Sequence, residues 1–284
     1  MAPLFFLLLF SGNFQNLAAP AHGRVGVLAQ VSGSQSPVAA LDSAGHYPMQ
    51  SVYKFPIGMA ILRDVDRGIL KLDQPVLVRK AELVPLALHS PIRDEHPAGD
   101  FTLPLRDVIR YAVSESDGTA CDVLLRLAGG PAKVEAFIHS LGVTEIAIAT
   151  TEMTMSQDNT AQYRNWATPR GMVQLLDALQ QGKGLSPVSR ALILKFMTDT
   201  PTGPNRIKAL LPAGTVVAHK TGSSGTANNF TAALNDVGLI TLPDGRTLAL
   251  AVFVSDATAE VPVLESVIAK VARAAFDAAA HPRN

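Results

Sequence analysis

Strand-like stretches stand at both ends of this chain and helical stretches fill the middle, an arrangement few folds accept. RVGVLAQVSG (24–33) and SPVAALDS (36–43) read as two short strands across a Gly/Ser turn, and GLITLPDGRTLALAVFVSD (238–256) reads as a hairpin turning at Asp244-Gly245. Between them FPIGMAILRDVDRG, PLRDVIRYAV, TACDVLLRLAGG, PAKVEAFIHSLG, TPRGMVQLLDALQQG and SPVSRALILKFMTD carry helical periodicity, several opened by Pro, Ser or Thr and closed by Gly. A last helix is expected over VPVLESVIAKVARAAFDAAA. The pattern predicts an α+β fold: an antiparallel β-sheet drawn from both chain ends and flanked by helices, with an inserted all-helical lobe. The expected division is residues 22–49 and 204–284 in the sheet domain and 50–203 in the helical domain.

Inside the first helical stretch, SVYKFPIGMAIL (51–62) sets a serine and a lysine three positions apart at the mouth of an otherwise apolar run. Pro56 is tolerable only in a first turn, and Ile57, Met59, Ala60, Ile61 and Leu62 leave no polar face, so the helix is expected to be buried all round. Ser51 then lies near the positive end of the helix dipole with Lys54 one turn on, an arrangement that suits a serine nucleophile whose proton is managed by an amine. A serine cap with a snorkelling lysine explains the same pattern, and Ser-x-x-Lys arises by chance roughly once in a chain of this length.

Two further patterns add weight. Ser116-Asp117-Gly118 stands where a loop meets a helix, and Lys220-Thr221-Gly222-Ser223 follows the strand-like TVVAH. Ser-x-x-Lys, then Ser-Asp-x, then Lys-Thr-Gly is the motif order of class A β-lactamases and penicillin-binding proteins. From about residue 24 to its end the chain resembles a class A serine β-lactamase, and TGPNRIKALLPAGTVVAHKTG, DGRTLALAVFVSD and QYRNWATPRGM look like that family's connecting sequence.

The resemblance implies a role for each matching residue. Ser51 attacks the lactam carbonyl, Lys54 helps remove its proton, and Ser116 passes a proton to the departing ring nitrogen. The backbone N–H groups of Ser51 and Ser223 form the oxyanion hole. Lys220, Thr221 and Ser223, with Gly222 between them, meet the substrate carboxylate, and Arg206 matches a position where part of the family adds a second positive charge. Glu152 stands 36 residues after Ser116, as the family's deacylation base does, within TTEMTMSQDN, a stretch expected to be a loop. Penicillin-binding proteins lack that base and stay acylated.

Several positions depart from the family pattern. Glu-x-x-Leu-Asn is replaced by Glu152-Met153-Thr154-Met155-Ser156, so Ser156 is expected to hold the hydrolytic water in place of the asparagine amide. Thr150 occupies the place of an arginine that ties the loop down, so the loop must be held in another way. Gly118 removes an amide that would meet the substrate's side chain. The Ser51–Ser116 interval is slightly long, with the extra residues near HSPIRDEHPAGD, and His89 stands where the family places an aromatic gatekeeper.

Lysine plus arginine and aspartate plus glutamate balance at 24 each, so no overall field draws the chain to nucleic acid or to an anionic membrane, and a small-molecule partner is expected. The single cysteine, Cys121, excludes an intrachain disulfide framework and reads as a small core residue. No His-Glu-x-x-His, Walker A or Gly-x-Gly-x-x-Gly pattern occurs, so neither a metal nor a nucleotide cofactor is expected. MAPLFFLLLF is too short to span a bilayer, and Ala19-Pro20-Ala21 gives a small-x-small cleavage pattern, so residues 1–21 are expected to be a signal peptide and the mature protein a periplasmic or secreted monomer, free of the membrane. The expected activity is β-lactam hydrolysis through an acyl-enzyme; a D-Ala-D-Ala peptidase or esterase, or a penicillin-sensing module, would share the fold.

Overall fold

In the computed structural model, which describes residues 14–281, the expected strands meet in one five-stranded antiparallel sheet. Its order is Ala39–Leu41, Arg24–Val31, Thr247–Ala257, Thr231–Thr241 and Val217–Ser223. The hairpin closes at the expected place, Leu242 N–H donating to Arg246 O at 2.8 Å. Both faces of the sheet are covered, which is why LALAVFV reads as a continuous apolar run rather than an alternating one. Ala249, Ala251 and Phe253 point to the helical side, while Leu248, Leu250, Val252 and Val254 pack under the last helix, Val261–Ala280.

The helix Lys54–Asp66 is the axis of the helical side. The helices Leu105–Val113, Gly118–Leu127, Pro131–Ser140 and Pro187–Thr198 all pack on it, so the run through Leu62 lacks a polar face because it has no solvent side, and only the last turn, with Arg63 and Asp66, reaches water. Each fully buried Ile, Leu, Met or Phe of this helix contributes about 1.5–3 kcal/mol of transfer free energy. Cys121 is buried in the same core. The helix Pro169–Gln180 lies instead against the strands Arg24–Val31 and Thr247–Ala257.

The N-terminal segment differs from expectation. Residues 14–18 are helical and Ala19–Ala21 form a 3-10 turn, with Phe14 and Ala21 buried in the core between sheet and last helix. A signal ending at Ala21 would strip these residues from that core. The turn Ala19–Ala21 packs on the helix Val261–Ala280. The apolar run 1–10 lies outside the described residues.

Candidate active site

The site forms where the helical side meets the edge strand Val217–Ser223. Ser51 lies in a 3-10 turn, Gln50–Tyr53, that runs straight into the helix Lys54–Asp66. Its side chain caps nothing; Ser51 Oγ instead accepts a hydrogen bond from Lys54 Nζ at 2.9 Å. Lys54 is 2% exposed, so the snorkelling alternative does not hold. Gly222 brings the edge strand against this turn. A Cβ at that position would sit 2.4 Å from Met49 O and 3.2 Å from Ser51 N, so only glycine allows the approach that sets Ser223 beside the nucleophile.

Lys54 Nζ also donates to Ser116 O at 2.8 Å and lies 3.0 Å from Glu152 Oε1. That last contact is an ion pair out of line for a hydrogen bond, and Glu152 Oε1 accepts none among the described residues although it is buried. Burial is the largest influence on Lys54 and lowers its pKa, but the Glu152 carboxylate, together with the other groups around it, outweighs this and the net direction is up. Lys54 is therefore an ammonium in the free protein.

From the other side Lys220, fully buried, donates to Ser116 Oγ at 2.8 Å and to Thr221 O at 2.9 Å. Its pKa is pushed well below that of an ordinary lysine, by burial first and by the Lys54 charge second. Asp236 behind the strand partly restores the charged form. That carboxylate accepts from His219 Nδ1 at 2.8 Å and from Ile207 N–H at 3.1 Å. Ser116 sits between the two lysines at φ 61°, a left-handed conformation that costs a serine of order 1–3 kcal/mol and aims its carbonyl at one lysine and its hydroxyl at the other.

Glu152 begins a short helix, Glu152–Gln157, where a loop was expected. Thr151 Oγ1 caps it locally, accepting from Thr154 N–H at 3.2 Å, and Asp122 caps it from another element: its carboxylate accepts from Glu152 N–H at 2.8 Å and Met153 N–H at 2.9 Å. Burial pushes the Asp122 pKa up to about 6. Asn165 holds the segment before it, accepting from Ala149 N–H at 2.8 Å and Thr150 N–H at 3.0 Å and donating to Thr150 O at 3.1 Å. These two residues replace the missing arginine. Asp122 had one sequence signal, a lone acid on the apolar helix TACDVLLRL; Asn165 had none.

A cleft of about 460 Å³ opens over Ser51, and Lys54, Ser116, Glu152, Thr221, Gly222, Ser223, Arg206 and His89 line it as expected. Three expected residues do not. Lys220 reaches Ser116 from beneath. Gly118 lies behind the wall, its N–H donating to His89 O at 2.9 Å, and a Cβ there would stand 3.6 Å from Glu152 Oε2. Ser156 corrects the sequence reading: its hydroxyl donates to Met153 O at 2.7 Å within its own helix, and Met155 and Asn159 line the cleft in its stead. Asp158 caps Thr160 at the surface, away from the cleft. Arg206 is present but engaged, with Glu265 Oε1 at 3.2 Å and the carbonyls of Gly222 and Asn235 at 3.3 and 3.1 Å, so its charge is partly neutralised before any ligand arrives. His89, at the mouth, makes a 2.8 Å hydrogen bond through Nε2 to Glu115 O.

The model of the beta-lactamase enzyme family matches residues 10–279. Over 230 residues the chain is 44% identical to the extended-spectrum beta-lactamase PER-1 of Pseudomonas aeruginosa, covering 81% of this chain and 74% of that protein. It is 39% identical to the beta-lactamase VEB-1 of the same organism over 280 residues, 95% of this chain and 93% of that one. Among solved structures, a beta-lactamase from Chitinophaga pinensis superposes with TM-score 0.91 at 45% identity, covering 94% of this chain and 98% of its own. The TLA-3 extended-spectrum beta-lactamase superposes with TM-score 0.93 at 39% identity, covering 97% and 100%.

Proposed function

This chain belongs to the β-lactamase enzyme family as a class A β-lactamase, and from that premise we propose how its own residues open and release a β-lactam. Ser51 Oγ attacks the lactam carbonyl. Because Lys54 is an ammonium donating to Ser51, it relays rather than abstracts: turned into line with Glu152, 3.0 Å away, it hands over a proton as it takes the serine's. The carbonyl oxygen gathers charge between the N–H groups of Ser51 and Ser223, which the Gly222 approach brings together. The C–N bond breaks as Ser116 Oγ protonates the ring nitrogen. Lys220, whose buried ammonium gives up a proton readily, resupplies Ser116. Glu152 then gives its proton back through Lys54 to the Ser116–Lys220 pair, which restores the Lys220 ammonium and leaves a carboxylate for the second half.

In that half Glu152 Oε1 takes a proton from water, the resulting hydroxide attacks the ester on Ser51, and Ser51 leaves with a proton. The observation that carries this reading is the buried Oε1 atom, ion-paired with Lys54 yet accepting no hydrogen bond. Thr221 and Ser223, with the buried charge of Lys220 beneath them, receive the substrate carboxylate. Glu152→Gln keeps size and hydrogen bonding but not basicity, so the variant is expected to accumulate a covalent adduct on Ser51, seen by intact-mass spectrometry, with a burst of about one equivalent. Steady turnover by that variant, with Asp158→Asn stalling as the adduct, would move the base to Asp158. We also propose export by an apolar signal cut before Phe14 and action as a monomer, which N-terminal sequencing and light scattering on the exported protein check.

A further inference from the structure

Three threonine hydroxyls form a chain from the carboxylate end of the cleft into the protein, and its direction can be worked out. Thr200 Oγ1 is 2.7 Å from Ser114 O, a carbonyl that can only accept, so Thr200 spends its single hydrogen there. Thr202 Oγ1 is 2.9 Å from Thr200 Oγ1, so the hydrogen between them must be that of Thr202. Thr221 Oγ1 is 2.8 Å from Thr202 Oγ1, so the hydrogen between those two must be that of Thr221. All three hydroxyls point inward. Thr221 therefore presents lone pairs, not a hydrogen, to the cleft that it and Thr202 line.

An arriving carboxylate needs the opposite. We propose that Thr202 is a specificity-determining residue, one that withholds the Thr221 hydrogen in the free enzyme and sets the cost of handing it to an anionic substrate. When Thr221 turns its hydrogen to the carboxylate, Thr202 either keeps donating to Thr200, leaving Thr221 without a donor, or turns to Thr221. In the second case Thr200 accepts only from Thr202 N–H, at 3.3 Å. One hydroxyl bond is given up either way. The proposal rests on the reading above that the Thr221 end receives the substrate carboxylate.

The test compares benzylpenicillin with its methyl ester. Thr202→Val removes the acceptor that holds the Thr221 hydrogen, so KM for benzylpenicillin is expected to fall about two- to tenfold, the worth of one neutral hydrogen bond, with kcat moving less and the ester responding less. Thr202→Ser restores the hydroxyl and is expected to return KM to that of the parent. Thr200→Val breaks the chain one link deeper, at a residue that does not line the cleft; it frees the Thr202 hydrogen for Thr221 and is also expected to lower KM. A simple packing role predicts a rise or no change in both valine variants, and that result overturns the proposal. Thr221→Val separates the two layers: if it affects acid and ester alike, the carboxylate reading fails and the proposal with it. If it raises KM for the acid selectively while neither valine variant lowers it, the switch alone is overturned.

Discussion

On one side of the cleft Lys54, Ser116 and Lys220 are buried and joined by hydrogen bonds through Ser116, while on the other Glu152 is carried by a segment whose anchors, Asp122 and Asn165, do not line the cleft. In the first wall each motif residue is the partner of another, so chemistry and geometry are fixed by the same side chains. In the second, the one reacting residue depends on two others 30 residues before and 13 after it in the chain. The first wall should therefore tolerate no change in its reacting groups, and the second should be adjustable through residues that never react.

The largest effect belongs to the first wall. Ser51→Ala removes the oxygen proposed to bond covalently with substrate, and both hydrolysis and covalent labelling by a penicillin are expected to vanish while the fold persists. Labelling at another serine in intact-mass spectra would put the nucleophile elsewhere and undo the contrast at its start.

Asp122→Asn acts on the second wall alone. An amide can accept from Glu152 N–H or Met153 N–H but turns a donor toward the other, so the start of the helix loosens and Glu152 loses its aim. Deacylation is expected to slow by about 10- to 100-fold while acylation stays near that of the parent, a split that single-turnover kinetics resolves. A pH effect accompanies it. With the Asp122 pKa raised by burial from 3.8 to about 6, the folded protein binds a proton more readily than the unfolded chain. The contribution of Asp122 to stability is thus fully present below its unfolded pKa and is lost as pH rises through about 6. In denaturant titrations the parent should lose stability across that window relative to Asp122→Asn; parallel curves would show that Asp122 titrates unperturbed.

Asn165→Ala is smaller and falls on stability. It strands the buried N–H and carbonyl of Thr150 and the part-buried N–H of Ala149, and unsatisfied buried groups cost about 1–3 kcal/mol each before relaxation. A loss of about 2–4 kcal/mol by urea denaturation is expected. A loss within error would mean that the segment is held by Asp122 alone.

The same contrast explains what the sequence makes legible. The helices are visible because each carries its own period and punctuation, and Val261–Ala280 matches its expected span residue for residue. The strands Arg24–Val31 and Thr247–Ala257 are visible because both faces of the sheet are apolar, whereas the first part of Thr231–Thr241, which carries Asn235 and Asp236, is not. Ser51, Lys54, Ser116 and Lys220 are legible as motifs because they recognise one another. What escapes is set by long-range pairing. The helix Glu152–Gln157 has a local cap in Thr151, but its first two N–H groups are satisfied by Asp122, 30 positions back, and the Arg206 charge is tempered by Glu265, 59 positions away. Ala19-Pro20-Ala21 packs against a helix at the far end of the chain. No local pattern carries any of these.

Ser156 gives the smallest expected effect and the sharpest test of that account. By the family pattern its hydroxyl should stand in for an asparagine amide and hold the hydrolytic water, and its loss should cut kcat severely. In the structure that hydroxyl donates to Met153 O at 2.7 Å, a back-bond of the kind a mid-helix serine makes, and Ser156 does not line the cleft. Ser156→Ala therefore gives up a locally neutral bond for a better helix former, and both kcat and stability should stay close to the parent, the latter within about 0.5 kcal/mol. A tenfold fall in kcat with unchanged stability would mean that the serine swings into the cleft during turnover. The second wall would then follow the family's motif after all, and the contrast drawn between the two walls would collapse.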